Sequence, residues 1–223
     1  MTAAPQLNVD SFDSGDYNDQ LFERIAEDLL VKGVSIQPNA LPPQLGEDLC
    51  LHLAQMQQQQ FQPAGVGRGD DHTQNRFVRS DSICWINGDS PAGRDWLAWT
   101  AKLQTHLNRR LFLGLFSFES HFAHYRPGDF YKTHLDAFKG EANRVLSLVC
   151  YLNSGWQPSD EGELVLYPEH QPQLKVTPAL GTLVVFLSEE FPHEVLTAGR
   201  DRYSISGWYR VNSSVASKVD PAR

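Results

Sequence analysis

His134, Asp136 and His193 are the residues of this chain whose types and spacing could hold a metal, and Arg202 follows His193 by nine positions. His134 and Asp136 stand at i and i+2 in Tyr131-Lys132-Thr133-His134-Leu135-Asp136, a stretch that reads as a strand end. On a strand, that spacing puts an imidazole and a carboxylate on one face. His193 arrives 57 residues after Asp136, in Phe191-Pro192-His193-Glu194-Val195. Two imidazoles and one carboxylate make a facial triad suited to non-haem Fe(II), with the opposite positions open for an oxidant and a co-substrate. Zinc competes for the same donors and binds more tightly by the usual affinity order. Arg202 brings a permanent charge in a planar fork, the geometry that clamps the far carboxylate of a keto-acid. An H-x-D pair alone occurs by chance. With a distal His and an Arg at this spacing, the set reads as a metal centre rather than three structural residues.

Other side chains are weighed against plainer roles. Arg202 opens an alternating strand with Ser204, Ser206 and Trp208 on its side. An arginine pointing into a barrel needs a partner, because an unpaired buried charge is costly. Surface pairing with Asp201 suits Arg200 better; if Arg202 is not the clamp, Arg144 or Arg210 is. Tyr151 lies in the apolar run Val149-Cys150-Tyr151-Leu152, so its hydroxyl needs a partner unless the ring only fills core. His121 and His124 fall in a strand on opposite faces and read as structural or exposed. His52, His72, His106 and His170 show no partner pattern.

These residues must be positioned by a mainly β scaffold. Residues 1–17 read as a flexible lead-in. Phe22, Ile25, Leu29 and Leu30 mark a helix over 18–32 ended by Gly33, and Val34-Ser35-Ile36 is a short strand. Pro42-Pro43 opens a second helix running to Met56; a third spans 90–110 with Trp96, Trp99, Leu103 and Leu107 on one face. From Leu111 onward, eight short runs alternate or are β-branched: 112–125, 130–136, 144–153, 163–168, 174–178, 182–187, 193–197 and 203–211. Turn signals such as Pro127-Gly128 and Glu161-Gly162 separate them. Eight strands in this span predict a double-stranded β-helix, a jelly roll of cupin type, supported by helices on one outer face. The expected layout is one domain over 18–211, with helical support over 18–110, the core over 111–211, and a tail over 212–223.

Charge and composition restrict partners. A net charge of -8 and a pI near 5.4 disfavour nucleic acid, whose nonspecific affinity rests on phosphate neutralisation. Cys50, Cys84 and Cys150 share no C-x-x-C spacing and read as reduced thiols of a cytoplasmic protein. No secretory signal and no membrane-length apolar run is visible, so no membrane partner is expected.

The stretch Tyr125 to Arg210 resembles the 2-oxoglutarate- and Fe(II)-dependent oxygenases, in particular the prolyl 4-hydroxylase branch typified by the hypoxia-inducible-factor prolyl hydroxylases. The similarity is carried by His134-Leu135-Asp136, Tyr151-Leu152-Asn153, Gly162-Glu163-Leu164, Phe191-Pro192-His193-Glu194-Val195, Arg202-Tyr203-Ser204 and Trp208-Tyr209. Upstream, Val78-Arg79-Ser80-Asp81 with Trp85-Ile86 resembles the segment flanking that branch's substrate loop, with Ser80 where the branch has glycine. Arg202, where collagen-type relatives have Lys, favours the oxygen-sensor-like members. The resemblance implies Fe(II) on His134, Asp136 and His193, and 2-oxoglutarate held by Arg202 and Tyr151. It also implies supporting roles for Tyr125 and Ser204, O2 as second co-substrate and ascorbate as a supporting reductant. Arg79, Asp81 and Trp208 fall on the substrate side, and the glycine-rich residues 64–77 read as a lid over a peptide. The implied reaction is hydroxylation of a protein-borne proline with release of succinate and CO2, open to regulation by oxygen. Elongation factor Tu, a target of bacterial relatives, is the candidate partner. The rivals are a related oxygenase with another protein, small-molecule or nucleic-acid substrate, and a metal-binding jelly roll without activity. Nucleic-acid demethylases usually carry a second arginine where this chain has Trp208.

Overall fold

The computed structural model describes residues 14–56, 58–65, 77–137 and 143–212. Helix α1 (Ser14–Lys32) buries Leu21, Phe22, Ile25 and Leu29, and ends at Gly33, whose φ of +70° favours a residue without Cβ. Strand β1 (Val34–Gln37) follows, then helix α2 (Pro43–Gln55), which opens on a proline at its first turn. Strands β2 (Gln62–Pro63) and β3 (Ser82–Trp85) lead to helix α3 (Pro91–Leu111). The Ser90 hydroxyl caps α3 by accepting from the Gly93 amide at 3.0 Å, while Trp96, Trp99, Leu103 and Leu107 are buried.

Eight strands complete the chain: β4 (Leu115–Tyr125), β5 (Tyr131–His134), β6 (Arg144–Tyr151), β7 (Leu164–Leu166), β8 (Leu174–Val176), β9 (Leu183–Leu187), β10 (His193–Val195) and β11 (Arg202–Val211). They divide between two antiparallel sheets. The large sheet runs β1-β9-β6-β11-β4-β3-β2, and the small one β5-β10-β7-β8. This is the expected jelly roll, its larger sheet widened by three strands from the helical half.

Two hydrophobic cores follow from that layering. On one face of the large sheet, Leu146, Leu148, Cys150, Leu183, Val185, Ile205 and Tyr209 pack with the three helices. On the other face, Ala123, Tyr125, Tyr151, Val184 and Phe186 meet Leu164, Leu166, Val176 and Val195 of the small sheet. Strict alternation along β6, β9 and β11 sends successive side chains to opposite cores.

The observed bounds correct some expectations. Residues 14–17, expected in the lead-in, are helical. This first turn is held from outside, by the Tyr17 hydroxyl donating to the Asn39 carbonyl at 2.5 Å and Trp99 Nε1 donating to Asn18 at 2.8 Å. Strand β5 stops at His134, so Asp136 lies in the bend beyond it. The reason is pairing: His134 sits opposite His193, the first residue of β10. The expected lead-in over 1–13, the lid over 66–76 and the tail over 213–223 lie outside the described residues. Among the described residues, no helix is long and apolar enough to cross a membrane.

Candidate active site

The small sheet sets the two histidines side by side. The His134↔His193 register pair brings their rings to a centroid distance of 4.3 Å. The Nδ1 of His134 lies 2.8 Å from the Lys132 carbonyl, and that of His193 lies 2.9 Å from the Phe191 carbonyl. A carbonyl only accepts, so each Nδ1 carries the proton and each Nε2 presents its lone pair. Such carbonyl contacts orient metal-ligating imidazoles. Both Nε2 atoms point toward Asp136, which has Oδ1 3.6 Å from His134 and Oδ2 3.6 Å from His193. Among the described residues, these three form the one cluster of ligand side chains whose donor atoms all lie within 4.8 Å.

The electrostatics favour ligating forms. Burial pushes the Asp136 carboxyl upward, but His193, His134 and the Ser147 hydroxyl outweigh it and hold the group well below the usual carboxylate range. Burial moves His193 below its ordinary value, against the opposing pull of Asp136. A deprotonated carboxylate and a neutral imidazole are what a divalent cation needs. The oxygen- and nitrogen-donor set, with no thiolate, suits Fe(II).

Deeper in, the large sheet builds a second polar spot. Arg202 of β11 is 1 % exposed and pairs across the sheet with Tyr125 of β4; Ser204, on the same side, pairs with Tyr151 of β6. The Arg202 guanidinium carbon lies 5.0 Å from the Tyr125 ring and 5.1 Å from the Tyr151 ring. Its Nε donates to the Gly162 carbonyl at 2.9 Å, and no carboxylate of the described residues forms an ion pair with it. Among the described residues, the buried Tyr151 hydroxyl has no hydrogen-bond partner. Burial pushes its pKa up to about 12 against the neighbouring Arg202, so it remains a donor at neutral pH. A buried cation beside an orphaned phenolic donor fits an incoming carboxylate, such as one end of 2-oxoglutarate.

Beside β5, where Arg79 bridges to Tyr131, Arg79 and Asp81 turn toward each other. Arg79 Nε and Nη2 donate to the two Asp81 oxygens at 2.8 and 2.7 Å, and Asp81 is 1 % exposed. Arg79 also covers the Tyr131 ring at 4.3 Å, and that ring stacks on His134 at 3.5 Å. Trp208 faces the metal side of the large sheet with Arg144 stacked on it at 3.7 Å, and Arg144 pairs with Glu119 at 2.8 Å.

Several site residues escaped sequence reasoning. Gly162 supplies the carbonyl that steadies Arg202, and Tyr131 supports His134. His121 and His124 do take opposite faces, but both are buried: His124 pairs with Asp201 at 2.7 Å, and His121 packs against Trp85 and Trp208. Ser147 donates to Asp136 at 2.6 Å. It had a signal, a hydroxyl inside the apolar run Val145–Cys150 where a third aliphatic residue would serve packing.

Known proteins share this sequence and architecture. Residues 120–210 match the 2OG-Fe(II) oxygenase superfamily. A Pseudomonas putida prolyl-4-hydroxylase is 40 % identical, with a TM-score of 0.78 over 86 % of this chain and 100 % of that one. A Trichoplax adhaerens prolyl hydroxylase, solved with a hypoxia-inducible-factor oxygen degradation domain peptide fragment, is 27 % identical. Its TM-score is 0.76 over 87 % of this chain and 91 % of that one. Human Egl nine homolog 1 is 28 % identical over an aligned stretch of 146 positions that covers 60 % of this chain and 34 % of that protein. The chain spans 34 % or less of the length of the curated relatives it matches.

Proposed function

Because the chain belongs to the prolyl-hydroxylase branch of the 2OG-Fe(II) oxygenase superfamily, we propose that it hydroxylates a prolyl residue of a protein substrate, with Fe(II) as metal and 2-oxoglutarate and O2 as co-substrates. The reaction balances: one oxygen atom enters the proline C4–H bond, and the other enters succinate as 2-oxoglutarate loses CO2. The carrying observation is the convergence of the His134–Asp136–His193 cluster with a buried Arg202 beside the unpartnered Tyr151 hydroxyl. Each half alone has other uses; together they match the two ends of a 2-keto dicarboxylate.

In this reading His134, Asp136 and His193 hold the metal, and bound Fe(II) supplies the oxygen chemistry. Arg202 and Tyr151 receive the distal carboxylate of 2-oxoglutarate, with Ser204 and Tyr125 lining that end. Trp208, kept in place by Arg144, lines the substrate side. Arg79 and Asp81 act through Tyr131 rather than by direct contact, since each already satisfies the other. The Trichoplax peptide complex supports a peptide substrate for this chain as well. Elongation factor Tu is the candidate that the resemblance supplies, and oxygen sensing is the role we attach to the reaction. Three free thiols fit the reducing cytoplasm proposed as its setting.

The test is anaerobic loading with Fe(II), 2-oxoglutarate and ascorbate, followed by O2 and mass spectrometry of host proteins, elongation factor Tu included. We expect a gain of one oxygen on a proline, with matching succinate, and loss of both in His134→Ala and Asp136→Ala. Coupled succinate release that survives in either variant overturns the metal assignment. Oxidation of a non-prolyl target overturns the substrate class. The rate across an oxygen series tests sensing.

A further inference from the structure

The hydroxyls of Ser147 and Ser188 form a directed chain ending on Asp136. Ser147 Oγ lies 2.6 Å from Asp136 Oδ2 and 2.9 Å from Ser188 Oγ. A hydroxyl has one hydrogen, and a carboxylate offers none. Ser147 therefore donates to Asp136, and Ser188 must donate to Ser147. Both serines are at most 1 % exposed, on the interior strand β6 and just past β9, so water does not substitute for either partner. Burying two hydroxyls in an apolar interface is costly unless both are bonded. Packing alone does not call for them.

The second oxygen of a metal-binding carboxylate decides how many positions the carboxylate takes. If both oxygens ligate, an octahedral ion loses a position that a chelating 2-keto acid and O2 require together. Ser147 engages Oδ2 with a charge-assisted O–H···O⁻ bond, roughly twice as strong as a neutral one. Building on the metal reading above, we infer that Ser188 and Ser147 are positioning residues that restrict Asp136 to one ligating oxygen. They thereby set both the affinity and the coordination number of the site.

Co(II) is the probe, bound to the full chain and read by titration calorimetry and visible absorption, with no turnover involved. Ser147→Ala is expected to weaken Co(II) binding by roughly 10- to 100-fold, as losses of ligand-orienting partners do, and to change the absorption spectrum. Ser147→Cys, similar in volume but a weak donor, tracks Ser147→Ala, whereas Ser147→Thr keeps the wild-type affinity and spectrum. Ser188→Ala shifts both in the same direction by a smaller factor. Wild-type affinity and spectrum in a folded Ser147→Ala overturn the inference. Should that variant not fold, unchanged Co(II) binding in Ser188→Ala does so. If the wild-type chain takes up no Co(II), the metal reading itself fails and the relay falls with it.

Discussion

At the scale of single residues, burial suits Arg202 to the carboxylate clamp proposed for it. It sits almost fully enclosed, tied by Nε to one carbonyl and lacking a carboxylate among the described residues. A lysine would keep the charge and lose the fork. Arg202→Lys should therefore raise the half-saturating 2-oxoglutarate concentration by roughly 10- to 100-fold, the size of a lost charge-assisted hydrogen bond of about 1.5–3 kcal/mol. Succinate formation against 2-oxoglutarate concentration measures it. An unchanged requirement moves the clamp to Arg144 or Arg210. The candidate metal cluster and Arg202 were legible in the sequence because few side chains can replace an imidazole or a guanidinium. Ser147 was marked only as a hydroxyl in an apolar run, and because serine in a strand has many ordinary uses, its contact with Asp136 had to come from the structure.

At the scale of elements, the turn before β7 carries a constraint on that same arginine. Gly162 has φ +75°, and a Cβ there would stand 2.7 Å from Ala198 Cβ and 3.4 Å from Arg202 Cδ. Gly162→Ala meets both the left-handed backbone penalty and a clash, so destabilisation of roughly 2–4 kcal/mol is expected, with a raised 2-oxoglutarate requirement. Gly128→Ala is the control: its φ is +87°, but nothing lies within 4 Å of the added carbon. Urea unfolding of the two variants separates strain from collision, and equal losses would leave the Ala198 contact without weight. The eight core strands were readable from alternation and turn residues because the inner strands of the large sheet lie between the two cores, while those of the small sheet turn one side to the inner core. Strands β2 and β3 were not, being two and four residues long and defined only by pairing with β4 and each other. Nor was the first turn of α1, held by residues 22 and 81 positions away in sequence.

At the scale of the whole molecule, one buried titratable group links the site to acid stability. Burial, then Arg79 and Arg144, lowers the His121 pKa to about 3 from 6.5. The unfolded chain takes up this proton near 6.5 and the folded chain resists it until about 3. Protons therefore favour unfolding across that window; stability is full above 6.5 and declines as pH falls toward 3. His121→Gln removes this contribution, so its acid-side slope should be shallower by up to about 1.4 kcal/mol per pH unit. Denaturant titrations at pH 7 and 5 on both proteins check this. Identical slopes would mean that the folded chain admits the proton without penalty.

His134 rides on an edge strand of four residues whose neighbour in the small sheet is β10. Short edge strands fray, and local opening governs how fast their amides trade hydrogen with solvent. A metal shared by His134, Asp136 and His193 would tie that edge to a strand that begins 59 residues after His134, closing a loop only the folded state can form. Binding confined to the folded form adds about 2.7 kcal/mol of protection when the free metal stands at 100 times its dissociation constant. Hydrogen–deuterium exchange should consequently slow at 131–136 and 193–195 on metal addition and stay unchanged across β1 and β9, with the difference abolished in His134→Ala. Uniform slowing would mean that the ion steadies the chain as a whole. Confined slowing would make the cofactor the latch of its own binding site.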